Sequence, residues 1–351
     1  MARTGKAVVA NGQKFEIREY PVPDPEPNTL LLRQELGGIC GTDLHNWQKG
    51  FQYEVIPGHE NVGIIEAIGS EKMTDYLGNP VKEGDRVIFS PGTGGFGAYG
   101  FQPNPDQYPH FHGGFAEYIY LSLPNTLFIK TSAPPEVAVL TEPFTIGIHA
   151  VMRGNVQLGD TVVVQGSGAI GLVTLICAKM SGAGKLIMVG GPAGRLELAR
   201  RMGADVTIDI EEVRSAEERI ELVKSHTTKQ AGADVVFECA GFLPATPEGL
   251  AYTRHSGVFV EVGHFVDMGS FEFNPNQMMM RKNLRIEAIW GSRYEHFVRA
   301  MPLLEKNEFP FAEMVSHRLP LDDVLKGFQA LNGDYRLGGE TAIKIAVQAN
   351  E

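Results

Sequence analysis

Val162-Val163-Val164-Gln165-Gly166-Ser167-Gly168-Ala169-Ile170-Gly171 is the stretch on which the fold turns. An uncharged, β-branched run of strand length ends at Gly166, and a segment of helical length follows, from Ala169 to Ser181. The glycines fall in the spacing GxGxxG, with Ser167, Ala169 and Ile170 between them. In that spacing the first glycine permits a tight turn, the second lets a pyrophosphate approach the backbone, and the third lets helix pack on strand. The helix N-terminus then offers unsatisfied N–H groups and a positive dipole end to phosphate. The spacing alone is weak, and a plain turn is its ordinary reading. The strand before it and the helix after it give it weight.

Strands and helices alternate downstream. Lys185–Val189, Val206–Ile208, Val235–Glu238 and Val258–Val262 have strand patterns, and Arg195–Met202 and Ala216–His226 helical ones. Such alternation predicts a parallel sheet with helices on both faces, an α/β fold. At the end of the second strand a carboxylate would hold a ribose 2′-hydroxyl. Gly190 stands there instead, in Val189-Gly190-Gly191-Pro192-Ala193-Gly194-Arg195. Arg195 then has two readings: a surface residue at a helix start, or a partner for a 2′-phosphate in the space Gly190 leaves. NAD and NADP are both open. Asp209, an acid ending the next strand, comes too late to replace Gly190.

Upstream the pattern is different. Lys6–Ala10, Phe15–Glu19, Thr29–Leu36, Val62–Ile68, Arg86–Phe89 and Phe115–Leu121 are short β-type runs punctuated by Pro, Gly and Asn. This predicts an all-β first domain, a barrel. After residue 295 the chain is expected to be helix and loop, closing on a strand, Thr341–Val347, that returns to the first domain. The expected domains are 1–145 with 296–351, and 146–295, consistent with 351 residues at roughly 150 per domain.

Composition excludes several partners. Lys and Arg number 31 against 42 Asp and Glu, a net charge of −11, so nothing neutralises a nucleic-acid backbone. Cys40, Cys177 and Cys239 are odd in number and far apart, which implies no disulfide framework and a reducing, cytoplasmic location. The N-terminus is too short in apolar length for a signal peptide. Thr161–Ala178 is uncharged, but its glycines, Gln165 and Ser167 suit strand, turn and helix better than a membrane span.

Three further stretches carry chemistry: Gly38-Ile39-Cys40-Gly41-Thr42-Asp43-Leu44-His45, Gly58-His59-Glu60-Asn61-Val62-Gly63 and Thr141-Glu142-Pro143-Phe144. Singly each has an ordinary reading: a buried thiol, a turn histidine, an acid in a helix first turn. Together, in this order, with Gly84-Asp85-Arg86-Val87 and the glycine loop, they resemble the medium-chain dehydrogenase/reductase superfamily. The likeness is to its zinc-containing alcohol dehydrogenase branch, near sorbitol and polyol dehydrogenases, and covers nearly the whole chain.

The resemblance implies a Rossmann domain plus a GroES-like catalytic domain. It implies a zinc-dependent oxidoreductase moving hydride between a secondary alcohol or polyol and NAD or NADP. Cys40, His59 and Glu142 match the catalytic zinc ligands, with water in the open fourth position such a site requires. Glu60 matches the glutamate beside the metal that enters its shell, Thr42 and His45 the proton relay, and Asp43 the carboxylate that orients the zinc-binding histidine. Lys344 matches loosely a basic residue near the cofactor. Trp47 matches an aromatic bordering the pocket, with plain packing the alternative. Arg285–Trp290 resembles the edge strand that pairs across subunits, implying a homodimer or homotetramer.

The chain departs from the pattern at 88–114, which hold no cysteine, so a four-cysteine structural zinc is excluded. That segment is expected to be a loop beside the active site, with His110 and His112 as exposed loop histidines. Cys177 and Cys239 are expected in the core. Two other functions compete: a zinc-independent quinone or enone reductase of the same superfamily, and a non-catalytic NAD(P)-binding protein. The Cys/His/Glu set argues against the first, and the proton relay against the second. No Arg or Lys cluster near Cys40 or in 91–112 calls for a phosphorylated substrate.

Overall fold

A computed structural model describes residues 3–349. Met1, Ala2, Asn350 and Glu351, which the expected terminal readings include, lie outside the described residues. The chain divides into two compact units, Met1–Glu142 with Phe297–Glu351, and Pro143–His296.

The first unit opens with β1 (Thr4–Gly12), β2 (Lys14–Pro21) and β3 (Leu30–Gly38), then α1 (Gly41–Lys49), β4 (Phe51–Val55) and β5 (Glu60–Ile68). β6 (Arg86–Phe89), β7 (Tyr118–Leu121), β8 (Phe128–Lys130) and the single turn α2 (Pro135–Ala138) follow. The chain leaves this unit within α3 (Thr141–Gly154). Helix α1 departs from the all-β expectation. Its start is set by Cys40, whose N–H donates to Asp43 Oδ2 at 3.0 Å, the backward half of a capping box. Gly50, at φ 77°, ends it. The expected strand Phe115–Leu121 begins only at Tyr118. Phe115 to Glu117 are instead tied across to β1, where Val8 N–H donates to Phe115 O and Glu117 N–H to Lys6 O.

The second unit runs β9 (Thr161–Gln165), α4 (Ala169–Met180), β10 (Lys185–Gly190), α5 (Ala193–Arg201), β11 (Val206–Asp209) and α6 (Ala216–Ser225). It continues through β12 (Ala233–Glu238), α7 (Ala245–Tyr252), β13 (Thr253–Glu261), α8 (Pro275–Met278) and β14 (Arg285–Ala288) into α9 (Tyr294–Lys306). Its sheet is wholly parallel, ordered β11-β10-β9-β12-β13-β14. Counted from β9 that is 3-2-1-4-5-6, the doubly wound Rossmann order. Val162, Val163 and Val164 are all fully buried, as a central strand covered on both faces requires.

The chain re-enters the first unit within α9, at Phe297, and continues with β15 (Val315–Pro320), α10 (Val324–Asn332), the short pair β16 (Arg336–Leu337) and β17 (Glu340–Thr341), and β18 (Lys344–Gln348). β18 pairs antiparallel with β3, setting Ala346 against Gly38, so the closing strand does return to the first sheet. β15, which the helix-and-loop expectation lacks, lies parallel on its other side. The main sheet of this unit is ordered β15-β18-β3-β5-β6-β8, with β7 also on β3, and β2-β1-β4 form a second sheet.

Candidate active site

The ends of β3, α1, β5, α3 and β18 bring one cluster together in the first unit. Cys40 sits between β3 and α1, and its thiol lies 3.8 Å from Thr42 Oγ1. Asp43, in the first turn of α1, is 1 % exposed; its Oδ2 caps the helix and its Oδ1 stands 3.3 Å from His59 Nδ1. His59 immediately precedes β5. Glu60 opens β5, opposite Gly38, and its two oxygens accept from Lys344 Nζ at 2.8 and 2.6 Å. The same ammonium donates to Ile39 O at 3.1 Å. Gly38 must be glycine, because a Cβ there would meet Glu60 Oε2. Lys344, matched only loosely in the sequence, is thus the buried partner of Glu60.

The electrostatics show what the cluster lacks. Burial, then Glu60, pushes the Cys40 thiol up. Burial, then Glu60, pushes Glu142, in the first turn of α3, up to about 7, against the pull of His59 and Lys344. Burial alone would lower the His59 imidazole, but Asp43 and Cys40 carry it well above its ordinary value. A thiol, an imidazole and carboxylates crowded out of water need positive charge. Asp43 Oδ1 and His59 Nδ1 are buried without a conventional hydrogen bond, yet face each other. A carboxylate behind one imidazole nitrogen, with a thiolate and a second carboxylate beside it, is the donor chemistry of a divalent metal site. His45 stands one turn further along α1; burial lowers its imidazole, and its charged neighbour is Lys49 rather than the cluster.

In the second unit each glycine of the β9–α4 loop has its own reason. Gly166 is at φ 102°, and a Cβ there would lie 2.7 Å from Ala240 N. A Cβ on Gly171 would lie 1.7 Å from Gly166 O. Gly168 caps α4 and is open: within 4 Å its Cβ would meet only Arg195 Nη1, at 3.9 Å. No side chain caps this end of α4, so the N–H groups of its first residues, Ala169 and Ile170 among them, remain for an anion.

Gly190 corrects the expectation of space. A Cβ there would fall 2.5 Å from Ser167 Oγ, which bonds both N–H and C=O of Gly191 at 2.9 Å. The serine of the glycine loop occupies what a carboxylate at 190 would need. Asp209 does not come too late in space: it pairs with Gly190 across the sheet, its Oδ1 accepting from Glu211 N–H. Arg195 is 7 % exposed, so the surface reading falls.

The 91–112 loop is also corrected. His110 is 9 % exposed, stacks on Tyr20 at 4.8 Å and bonds Pro105 O through Nδ1. His112 Nε2 bonds Ser122 Oγ at 2.7 Å, and burial pushes its imidazole down to about 4. Neither is an exposed loop histidine: Tyr20 from β2 and Tyr108 and Phe111 beside it enclose His110, and Tyr99 and Tyr120 flank His112. Trp47 packs on Phe328 and donates to Gln13 O, which fits the packing alternative. Cys177 is buried, and the Cys239 thiol faces Thr174 Oγ1 at 3.8 Å.

Residues 26–132 match the family described as alcohol dehydrogenase GroES-like domain, and 169–306 that described as zinc-binding dehydrogenase. The chain is 32 % identical to 5-exo-hydroxycamphor dehydrogenase of Pseudomonas putida, covering 92 % of this chain and 94 % of that one. It is 31 % identical to sorbitol dehydrogenase of Gallus gallus, covering 94 % of each. An alcohol dehydrogenase structure from Thermotoga maritima superposes with a TM-score of 0.91 at 25 % identity, over 99 % of this chain and 100 % of that one.

Proposed function

The chain belongs to the zinc-binding alcohol dehydrogenase family, and on that premise we propose that Cys40, His59 and Glu142 hold one catalytic zinc ion in the first unit. The reaction is the interconversion of an alcohol or polyol and its carbonyl compound. The observation that carries the site is Asp43 set behind His59 at 3.3 Å, with buried Cys40 and Glu142 both sensing the charges of His59 and Glu60.

Zinc bound there supplies Lewis acidity, which lowers the pKa of an alcohol hydroxyl. A nicotinamide cofactor supplies the hydride chemistry. The chain's own residues do the rest. Asp43 holds the Nδ1 side of the His59 ring, which would leave Nε2 for a bound metal. Thr42, beside the Cys40 thiol, would accept a hydrogen bond from the substrate hydroxyl while its own proton moves on through the cofactor ribose, and His45 would release that proton to solvent. Both Glu60 oxygens accept from Lys344, so Glu60 would stand beside a bound metal rather than among its ligands. Gly166, Gly168 and Gly171 seat the pyrophosphate, with Ser167, Gly190 and Arg195 shaping the loop beside it.

The first unit is then catalytic and the second binds the nucleotide. The three cysteines are unpaired, which suits a reducing cytoplasm. Among the described residues no helix is long and apolar enough to cross a membrane. The open strand β14 is proposed to pair with a second copy.

Cys40→Ser, His59→Asn and Glu142→Gln test the assignment. Each is expected to cut kcat/KM for the preferred alcohol by about a thousandfold, roughly the 4 kcal/mol a Lewis acid contributes, with nucleotide binding by fluorescence unchanged. Full activity in any of the three removes that residue from the metal.

A further inference from the structure

In the second unit, at the carboxyl ends of β12 and β13, three side chains turn toward one point. Glu238 ends β12, Glu261 ends β13, and His264 follows in the next loop. One donor atom from each lies within 4.8 Å of the other two. His264 Nδ1 is 3.0 Å from Glu261 Oε1 and 3.5 Å from Glu238 Oε2. Each carboxylate has its other oxygen tied back. Glu238 Oε1 accepts the N–H groups of Ala240 and Gly241 at 2.8 and 2.9 Å. Glu261 Oε2 accepts the Thr246 hydroxyl at 3.1 Å. Gly263 is shaped to the same arrangement, since a Cβ there would fall 2.5 Å from Glu238 Oε2.

A fully buried carboxylate facing a second, partly exposed one is stabilised by a cation between them. Glu238 is 0 % exposed, and its Oε2 has no hydrogen-bond partner. Burial, then Glu261, pushes its carboxyl up to about 9, so a bound proton is one way to meet that need. In the absence of a metal His264 Nδ1 and Glu261 Oε1 are hydrogen-bonded, and the donor spacing also suits a metal. Zinc–nitrogen and zinc–oxygen bonds of about 2.0–2.1 Å in a tetrahedron set neighbouring donors about 3.3 Å apart. The two measured separations, 3.0 and 3.5 Å, bracket that. Carboxylates held by one oxygen and presenting the other are what orients metal ligands.

We propose that Glu238, Glu261 and His264 form a second divalent-metal site, for zinc or a similar borderline transition metal. One imidazole and two carboxylates without a thiolate suit zinc, manganese, iron or cobalt. The site also has a structural reach. The turn 239–241 that Glu238 ties down packs against Gly166, so a metal here braces the wall of the glycine loop.

The test counts metal. Chelator-stripped wild type, Glu261→Gln, His264→Asn and Cys40→Ser are refilled with zinc chloride, desalted and assayed by mass spectrometry for zinc per chain. Glu261→Gln and His264→Asn are each expected to hold one equivalent less than wild type, and Cys40→Ser to keep at least one. The difference carries the result, so it stands even if the Cys40 site proves to bind no zinc. Equal zinc in wild type and both cluster variants would overturn the proposal and leave a shared proton in its place. So would a Cys40→Ser chain that binds none, an outcome that does not depend on how the cluster variants fold.

Discussion

Asp43 caps α1 with one oxygen and faces His59 with the other, so one side chain serves fold and site together. Its neighbours show why single residues were partly legible. Cys40, His59, Glu60 and Glu142 stand in motifs whose order could be recognised, whereas the partner of Glu60, Lys344, lies 284 residues away and no local pattern announces it. The burial of His110 was hidden in part for the same reason, since its stacking partner Tyr20 lies 90 residues earlier, whereas His112 is covered by the nearer Tyr120 and Ser122, which no motif marks. His112 yields a test. Burial holds its folded pKa at about 4, below the ordinary 6.5 of a histidine, so as pH falls the unfolded chain takes up its proton first. The stability that neutral His112 contributes is intact above about pH 6.5 and is lost between there and about 4, by at most about 3 kcal/mol. Urea midpoints across that range are expected to fall less steeply in His112→Gln than in the parent chain; parallel slopes would show that His112 is not held neutral.

At the scale of elements, the Rossmann half was the easier to read. Burial on both faces writes parallel strands as continuous apolar runs, and Thr161–Gln165 emerges with the bounds its sequence suggests. α1 was harder. Its nine residues carry few apolar positions, and its start depends on the Cys40–Asp43 bond rather than on periodicity. The β10–α5 loop was harder still, since the reason for Gly190 is the hydroxyl of Ser167, 23 residues earlier. Ser167→Ala removes both bonds to Gly191 while leaving the glycines in place. Losing roughly 1.4 kcal/mol of loop order corresponds to about a tenfold rise in cofactor KM, with kcat little changed. Titration of cofactor fluorescence checks it, and an unchanged KM would mean that this link does not shape the nucleotide site.

At the scale of the molecule, the closing strand β18 returns to the first sheet after the whole second unit, so the first unit cannot be completed before the second has been made. The second sheet ends at β14, whose outer edge has no partner strand among the described residues; Ile286 is 41 % exposed and Trp290, just beyond, 79 %. An open edge of this kind, with exposed Ile286 and Trp290 beside the charges of Arg285 and Glu287, is a template for another chain. Sedimentation velocity at micromolar concentration is expected to show a dimer or tetramer, shifting to monomer when Ile286→Lys and Trp290→Glu are combined. A wild-type chain sedimenting only as monomer would contradict the pairing.

The central claim is that alcohol oxidation runs on a metal held by Cys40, His59 and Glu142. It is met most directly by following reduced-nicotinamide absorbance with a panel of polyols and secondary alcohols, NAD and NADP being offered separately, before and after a chelator strips the metal. Turnover that vanishes with the chelator and returns with zinc is the predicted result. Turnover untouched by metal removal, or reduction of quinones and enones with no alcohol oxidised, would contradict it.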